Sequence, residues 1–279
     1  MRYGVTMFIT DQTMAPAALA RAVEERGFES LYVPEHTHIP TSRRTAPPTG
    51  DAELREEYKR TLDPLVAMTS AAAATERLLV GTGIMLVAQR DPIVTAKAIA
   101  TLDLVSNGRF VLGIGFGWNA DELEDHGVAM KERRDVVRER MLAMKALWRD
   151  DVASFSGSYV DLPPTWSWPK PVQVGGPPVL IGGAAGPKLF AHVAEYADGW
   201  IPIGGAGVRA ALTDLHAACE AIGRDPSTLR IVPFGTVPDA GKLEYYESIG
   251  VTEVVLRLPS ADESKIRRTL DEYCSLLGL

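Results

Sequence analysis

The sequence has few cysteines and no long hydrophobic run. It contains 2 cysteines among 279 residues, and both Cys219 and Cys274 lie in apolar helical patterns. Two thiols cannot build a disulfide framework, so we expect both to be reduced and buried. No run of about 18 apolar residues predicts a membrane-spanning helix. Because Met1 to Phe8 also has the pattern of a strand and not of a signal peptide, we expect a cytoplasmic protein.

Positive charge is scarce as well. Lys and Arg number 29 against 36 Asp and Glu, which gives a formal net charge of −7. An acidic surface repels phosphate backbones and anionic lipid headgroups. We therefore expect neither a nucleic acid nor a membrane as a partner, and a small-molecule substrate instead.

Short apolar strand patterns alternate with amphipathic helical patterns from one end of the chain to the other. The eight predicted strands run over residues 3–9, 30–34, 78–85, 109–115, 178–181, 199–203, 229–234 and 253–258. Such strands predict a parallel sheet covered by helices, and eight of them can close into a (βα)8 TIM barrel. A doubly wound sheet of six or seven strands is the alternative if one pattern is spurious. We predict a single barrel domain over residues 1–279.

Two insertions interrupt the alternation. Residues 37–60 follow the second strand, and residues 154–174, which are rich in Pro, Trp and Gly, precede the fifth strand. In a barrel of this type, the loops that follow the strands form the mouth of the active site. We therefore expect the first insertion on the functional side.

Glycine-rich loops follow the fourth and fifth predicted strands. Their residues are Gly115, Phe116, Gly117 and Trp118 in the first loop, and Gly182, Gly183, Ala184, Ala185 and Gly186 in the second. Free N–H groups at the start of a helix can bind a phosphate, although glycines also serve simply to make tight turns. No GxGxxG opens the first βα unit and no GKS or GKT follows, so neither a dinucleotide fingerprint nor a P-loop is present.

The second predicted strand is followed by Glu35, His36 and His38. A catalytic zinc site needs three protein ligands, and no other histidine supplies a convincing third, so we predict no metal site. Glu35 and His36, directly beyond the strand, are better placed for proton transfer or for a hydrogen bond to a cofactor ring. Because no GxSxG motif is present and neither cysteine follows a strand, a nucleophilic mechanism is not predicted.

The segments that carry these candidates resemble the luciferase-like monooxygenase superfamily, in particular its branch that uses coenzyme F420. The resemblance covers essentially the whole chain and rests on the order and spacing of its segments. They are PEH at 34–36, GTGI at 81–84, QRDP at 89–92, AK at 96–97, ATLD at 100–103, SNGRFVLGIGFGW at 106–118, IGG at 181–183 and ADGW at 197–200.

The resemblance implies a barrel that binds a flavin or deazaflavin at its C-terminal mouth. His36 is similar to the family's strand-two histidine that faces the cofactor ring, with Glu35 beside it. Gly83 and Ile84 resemble the strand-three bulge, often a non-prolyl cis peptide, that supports the ring from behind.

The resemblance also implies a phosphate site, and the chain departs from the family's pattern at one position. The backbone around Gly117 and Trp118 and the loop 182–186 resemble the family's phosphate site. In the sugar-phosphate dehydrogenases of the branch, an acidic residue follows the strand-four glycines, whereas Trp118 stands there in this chain. That activity is therefore not carried over, and His36 remains as the candidate proton donor or acceptor.

The function implied by the resemblance is hydride transfer between C5 of F420 and a small organic substrate. An FMN-dependent monooxygenase of the same superfamily is the alternative, and a barrel that binds cofactor without catalysis is a third hypothesis. Relatives are often dimers, which makes a homodimer possible. The substrate is not readable, because the two insertions that would build its pocket carry no chemical signature.

Overall fold

The computed structural model describes residues 1–47, 53–205 and 207–279. Within these ranges the strands are β1 (Arg2–Thr6), β2 (Ser30–Val33), β3 (Leu79–Thr82), β4 (Phe110–Ile114), β5 (Ala153–Ser156), β6 (Asp161–Thr165), β7 (Val179–Gly182), β8 (Gly199–Ile201), β9 (Arg230–Ile231), β10 (Phe234–Thr236) and β11 (Glu253–Arg257). The helices are α1 (Pro16–Glu25), α2 (Pro64–Ala73), α3 (Pro92–Val105), α4 (Ala120–Asp125), α5 (Arg133–Arg149), α6 (Pro187–Tyr196), α7 (Val208–Glu220), α8 (Ala240–Ser248) and α9 (Glu263–Leu277).

The parallel strands form a closed barrel. Their pairing order is β10-β11-β1-β2-β3-β4-β7-β8-β9, and β9 and β10 are two pieces of one strand position, separated by Val232 and Pro233. The pairing with the β8 side continues across this break, because the Val232 N–H donates to the Trp200 carbonyl and the Phe234 N–H to the Pro202 carbonyl. Eight strand positions thus close the sheet. The predicted (βα)8 barrel is confirmed, and the doubly wound sheet is excluded.

Aspartates fix the loops at the C-terminal rim of the barrel. Asp63 and Asp91 cap α2 and α3, and Pro64 and Pro92 follow them at the first helical position. Each carboxylate accepts hydrogen bonds from N–H groups that have no partner inside the helix. The segments that lead from β2 to α2 and from β3 to α3 contain Glu35, His36, Gly83 and Ile84, so the caps fix the C-terminal ends of the loops that carry these candidates.

Three local features differ from the sequence prediction. The seventh predicted strand is split at Pro233, which cannot donate to a ladder. Helix α4 has only 6 residues, too few to show a helical period. Within the insertion at 154–174, β6 pairs with β5 in an antiparallel hairpin.

The barrel strands β1 and β3 are shorter than predicted. They end at Thr6 and Thr82, and beyond β3 Met85 bridges to Ile114. None of the helices that the structure describes is long and apolar enough to cross a bilayer. The assignment of the whole chain to one domain stays a prediction.

Candidate active site at the barrel mouth

His36 lies directly beyond β2, and its side chain is 6% exposed. Its Nδ1 is 2.8 Å from Oε2 of Glu122 on α4, a side chain that is 1% exposed. Because a carboxylate only accepts hydrogen bonds, Nδ1 carries the proton and Nε2 is the free acceptor. Nε2 has no hydrogen-bond partner in the described part of the chain. The contact therefore fixes the imidazole in one tautomer and leaves Nε2 for a ligand.

The N-terminus of α4 is capped from outside the helix. Asn119 stands at the N-cap and Glu122 at the third helical position, a spacing typical of a capping box. Among the described residues, however, both amide atoms of Asn119 and Oε1 of Glu122 are buried without a partner. The Ala120 N–H donates instead to Oγ1 of Thr45, at 3.1 Å. The insertion after β2 thus supplies a cap, and the Glu122 carboxylate is directed to His36.

Ion pairs connect the same insertion to α4. The Arg44 guanidinium contacts Asp121 at 2.8 Å and Glu124 at 2.5 Å. Nearby, His38 Nε2 is 3.0 Å from Asp125. We call residues 37–47, which make these contacts, the strap.

The two histidines of the HxH pattern have separate partners. His36 contacts Glu122, whereas His38 contacts Asp125. Over residues 1–47, 53–205 and 207–279, no group of three or more His, Cys, Asp or Glu side chains is arranged to hold a metal ion.

Glu35 is buried, and both of its carboxylate oxygens are engaged. Oε2 accepts a hydrogen bond from the Leu86 N–H at 2.6 Å, and Oε1 accepts one from Nε of Arg90 at 2.7 Å. Arg90 also contacts Asp63, the N-cap of α2, at 2.6 Å. Burial raises the pKa of Glu35, and the Arg90 charge opposes this effect. These contacts tie the end of β2 to the backbone that follows Ile84.

Ile84 and Phe234 pack into space that three glycines leave open. A Cβ on Gly115 or Gly182 would lie 2.7 or 2.8 Å from the Ile84 side chain, and one on Gly83 would lie 2.1 Å from the Phe234 ring. The Gly83–Ile84 peptide bond is cis, as the resemblance implies. Close packing inside the barrel therefore accounts for the missing side chains at these three positions.

The loop 182–186 leads into α6 with unpaired donors. Ala184 and Ala185 are exposed, and Gly186 is the N-cap of the helix. No heavy atom lies within 4 Å of the place where a Cβ of Gly186 would be. In the described chain, the N–H groups of these three residues have no hydrogen-bond partner. The Trp200 indole anchors the loop by donating to the Gly183 carbonyl at 2.9 Å.

Aromatic rings surround His36. The Tyr58 ring centroid lies 5.3 Å and the Trp118 centroid 5.8 Å from that of His36, and Phe8 lies 4.7 Å from Tyr58. Gly117, which precedes Trp118, has a φ of 78°, a conformation that favours glycine. The turn after β4 thus directs Trp118 against His36.

A group of polar donors lies between α5 and α6, around the Phe116 ring. The Arg134 guanidinium is 4.2 Å and the His192 ring 5.1 Å from the Phe116 centroid, and the Tyr196 ring is 5.7 Å from that of His192. Nη1 of Arg134 and the Tyr196 hydroxyl are buried without a partner among the described residues. Burial lowers the pKa of Arg134, and burial together with the Arg134 charge lowers the pKa of His192. Donors without an acidic partner are suited to an anion.

Sequence reasoning placed His36 at the mouth but missed the side chains that act on it. Glu122 comes four residues after Trp118, and its carboxylate contacts His36. The Asn119-x-x-Glu122 spacing is a capping-box pattern and would have located α4. The sequence around Arg134 shows only the charge-rich start of a helix and does not indicate a binding residue.

Comparison with known proteins identifies the family. A family model described as luciferase-like monooxygenase matches residues 11–238. The chain belongs to this family. The resemblance drawn from the sequence is thereby confirmed.

Three similar proteins illustrate what this chain resembles. An uncharacterised protein of Mycobacterium tuberculosis is 45% identical over 271 residues, 95% of each chain. The F420-dependent hydroxymycolic acid dehydrogenase of the same organism is 29% identical over 229 residues, which are 80% of this chain and 57% of that enzyme. The crystal structure of the monooxygenase RslO1 from Streptomyces bottropensis has a TM-score of 0.79 at 19% identity and covers 99% of this chain and 98% of its own. Of these three proteins, one is uncharacterised, one is an F420-dependent dehydrogenase, and one is a monooxygenase that shares the fold.

Proposed function

We propose that this chain is an F420-dependent oxidoreductase that transfers a hydride between the deazaflavin and a small organic substrate. The observation that carries the proposal is the His36–Glu122 pair at the mouth, which leaves one imidazole nitrogen without a partner in the described chain. The F420-dependent relative at 29% identity supports the choice of cofactor.

When bound, F420 supplies the hydride donor or acceptor. The chain itself moves the accompanying proton. Nε2 of His36 accepts a proton from a substrate hydroxyl during oxidation and returns one to a carbonyl oxygen during reduction. The Glu122 carboxylate stabilises the imidazolium form through Nδ1, as an orienting acid does in other histidine-dependent enzymes.

The described residues fit a ring that carries an anionic tail. Ile84, half-buried beyond β3, offers an apolar platform, and Gly186 leaves open space at the start of α6. The unpaired N–H groups of the loop 182–186, together with Arg134, would hold the phosphate. Gly117 and Phe116 would border this subsite from the β4 side.

We assign Glu35 a positioning role. Both of its oxygens hold the backbone and the arginine that follow β3. Proton transfer at the reacting atoms therefore falls to His36.

An FMN-dependent monooxygenase is the second candidate. The description of the family model and the likeness to RslO1 favour it. A barrel that binds the cofactor without turnover is the third hypothesis, in which replacement of His36 by Ala would change nothing.

Equilibrium titration of the purified chain with F420 and with FMN tests the choice of cofactor. We expect F420 to bind at least tenfold more tightly, a difference of about 1.4 kcal/mol, and its binding to need no oxygen. Tight binding of FMN alone, followed by oxygen consumption when the flavin is reduced, would replace the proposal with the monooxygenase.

We also propose that two copies of the chain form a homodimer. Apolar side chains on the outer face of α2 and α3 support this, because Val66, Val94 and Leu104 are 71%, 68% and 52% exposed. Light scattering tests the state of assembly, and a monomer at all concentrations would contradict it. The cytoplasmic location stays a prediction.

A further inference from the structure

We infer that the substrate of the His36 site is an uncharged, largely apolar molecule with one carbonyl or hydroxyl group. The inference rests on the proposed function and names the substrate class of that same site. Three observations carry it: the pairing of the cations at this rim, the charge of the neighbouring cavity, and the aromatic rings around His36.

Three arginines at this rim already form ion pairs with acids of the chain, and each of them contacts two carboxylates. The sets are Arg44 with Asp121 and Glu124, Arg60 with Asp11 and Glu56, and Arg90 with Glu35 and Asp63. A substrate phosphate or carboxylate bound by one of these three would displace such a pair and leave a carboxylate without its partner. Arg43 on the strap makes no ion pair in the described chain, but its side chain is exposed.

A cavity lined by Glu56 and Glu57, the two residues that precede Tyr58 in the sequence, carries excess negative charge. It has a volume of about 240 Å³, and its ionisable lining consists of Glu56, Glu57, Asp262 and Arg60. Three carboxylates therefore face one guanidinium that is itself paired. A cavity whose lining has a net negative charge repels anionic ligands.

Buried cationic charge without an acidic partner is found at Arg134. This side chain makes no ion pair among the described residues and lies over the ring of Phe116, which also contacts His192 of α6. The two sides thus differ in charge. An anionic cofactor tail fits the Arg134 side, and a neutral substrate fits the His36 side.

Aromatic rings provide the contact surface for such a substrate. Tyr58 and Trp118 stand nearly perpendicular, with an interplanar angle of 81° and a centroid distance of 6.5 Å, and both pack against His36. Edge-to-face rings of this kind bind a planar or apolar group. His36 Nε2 is the polar atom that would meet the carbonyl or hydroxyl.

A matched pair of probes tests the inference. Binding of 2-acetylnaphthalene and of 6-acetyl-2-naphthoate to the full chain, with and without F420, is measured by calorimetry at low and high salt. We expect the neutral probe to bind about tenfold more tightly, and only the anionic probe to gain affinity as salt screens the repulsion. Equal or tighter binding of the anionic probe would overturn the inference. Failure of F420 to bind would instead count against the proposed function and leave this comparison valid.

Variants locate the binding surface. Trp118→Ala should weaken the neutral probe about tenfold while Trp118→Phe retains it, and Glu57→Gln should improve binding of the anionic probe. Trp166→Ala is the matched control, because Trp166 is 75% exposed and lies beyond the hairpin β5–β6. An unchanged affinity in Trp118→Ala would overturn the inference. So would an anionic probe whose affinity depends on Arg43, the exposed strap arginine that makes no ion pair in the described chain.

Discussion

Oε2 of Glu122 lies 2.8 Å from Nδ1 of His36. The spacing of Asn119 and Glu122 would allow a capping box at the start of α4, but Glu122 contacts His36 instead. Asn119 remains buried and without a partner among the described residues. A buried polar group without a partner costs free energy. The fold therefore retains a buried Asn119 side chain without a partner, while Glu122 fixes the orientation of His36 at the mouth.

Replacing Glu122 by Gln should lower kcat by about 100-fold, because a neutral amide stabilises an imidazolium less well. Steady-state kinetics with F420 measures this fall in kcat. Glu272→Gln, an exposed change of the same type on α9, should leave kcat unchanged. A Glu122 variant with the kcat of the wild type would show that His36 acts without it.

Thr45→Val removes the hydroxyl that caps α4 and keeps the shape of the side chain. Asn119 and Glu122 can then turn to the free helix N-terminus, so we expect kcat to fall about tenfold, with the KM for F420 unchanged. Thr45→Ser retains the hydroxyl and should restore the wild-type rate. Thr41→Val, an exposed change on the same strap, serves as the control. If Val and Ser at position 45 behave alike, the cap does not position Glu122.

The Glu35→Gln variant tests whether Glu35 positions the backbone after β3 or itself transfers a proton. The amide cannot accept from both the Leu86 N–H and Arg90 with the strength of a carboxylate, so Tm should fall and the KM for F420 should rise severalfold. The shape of the pH–rate profile should stay as in the wild type. Loss of one limb of that profile in Glu35→Gln would instead show that Glu35 itself exchanges the proton.

His192 should make stability depend on pH. Its folded-state pKa is lowered, first by burial and then by Arg134, so the unfolded chain binds the proton first as pH falls. The stability is full above the unfolded pKa of about 6.5 and is lost as pH falls toward the folded value. Burial lowers the pKa of His126 as well, which adds a contribution of the same sign.

Urea unfolding at about pH 7.5 and about pH 5.5 measures this loss. His192→Gln should reduce it, and His216→Gln, an exposed change on α7, should not. Inorganic phosphate bound at Arg134 would raise the pKa of His192 and should also reduce the loss. A loss that is the same in wild type and His192→Gln would contradict the account of this cluster.

The barrel could be predicted because its strands and helices alternate with clear periods. Asp63 and Asp91, each followed by proline, mark helix starts that the structure retains. The break at Pro233 was not predicted, because the sequence does not show which strand positions tolerate a missing N–H. Helix α4 was missed because a helix of 6 residues shows no period.

The candidate site was predictable where residues directly follow a strand. His36 and the loop 182–186 are of this kind. Glu122 was not, because its contact with His36 spans 86 positions of sequence and depends on how Thr45 caps α4. The predicted cofactor contacts of Gly115 and Gly182 stay a prediction, and the structure adds that a Cβ at either position would meet the Ile84 side chain.

A crystal structure of the chain with F420 tests the central claim most directly. The account predicts the deazaflavin ring against Ile84 with Nε2 of His36 at its edge or at the substrate oxygen, and the phosphate on the loop 182–186 beside Arg134. A cofactor bound elsewhere, or a phosphate that avoids both that loop and Arg134, would contradict it.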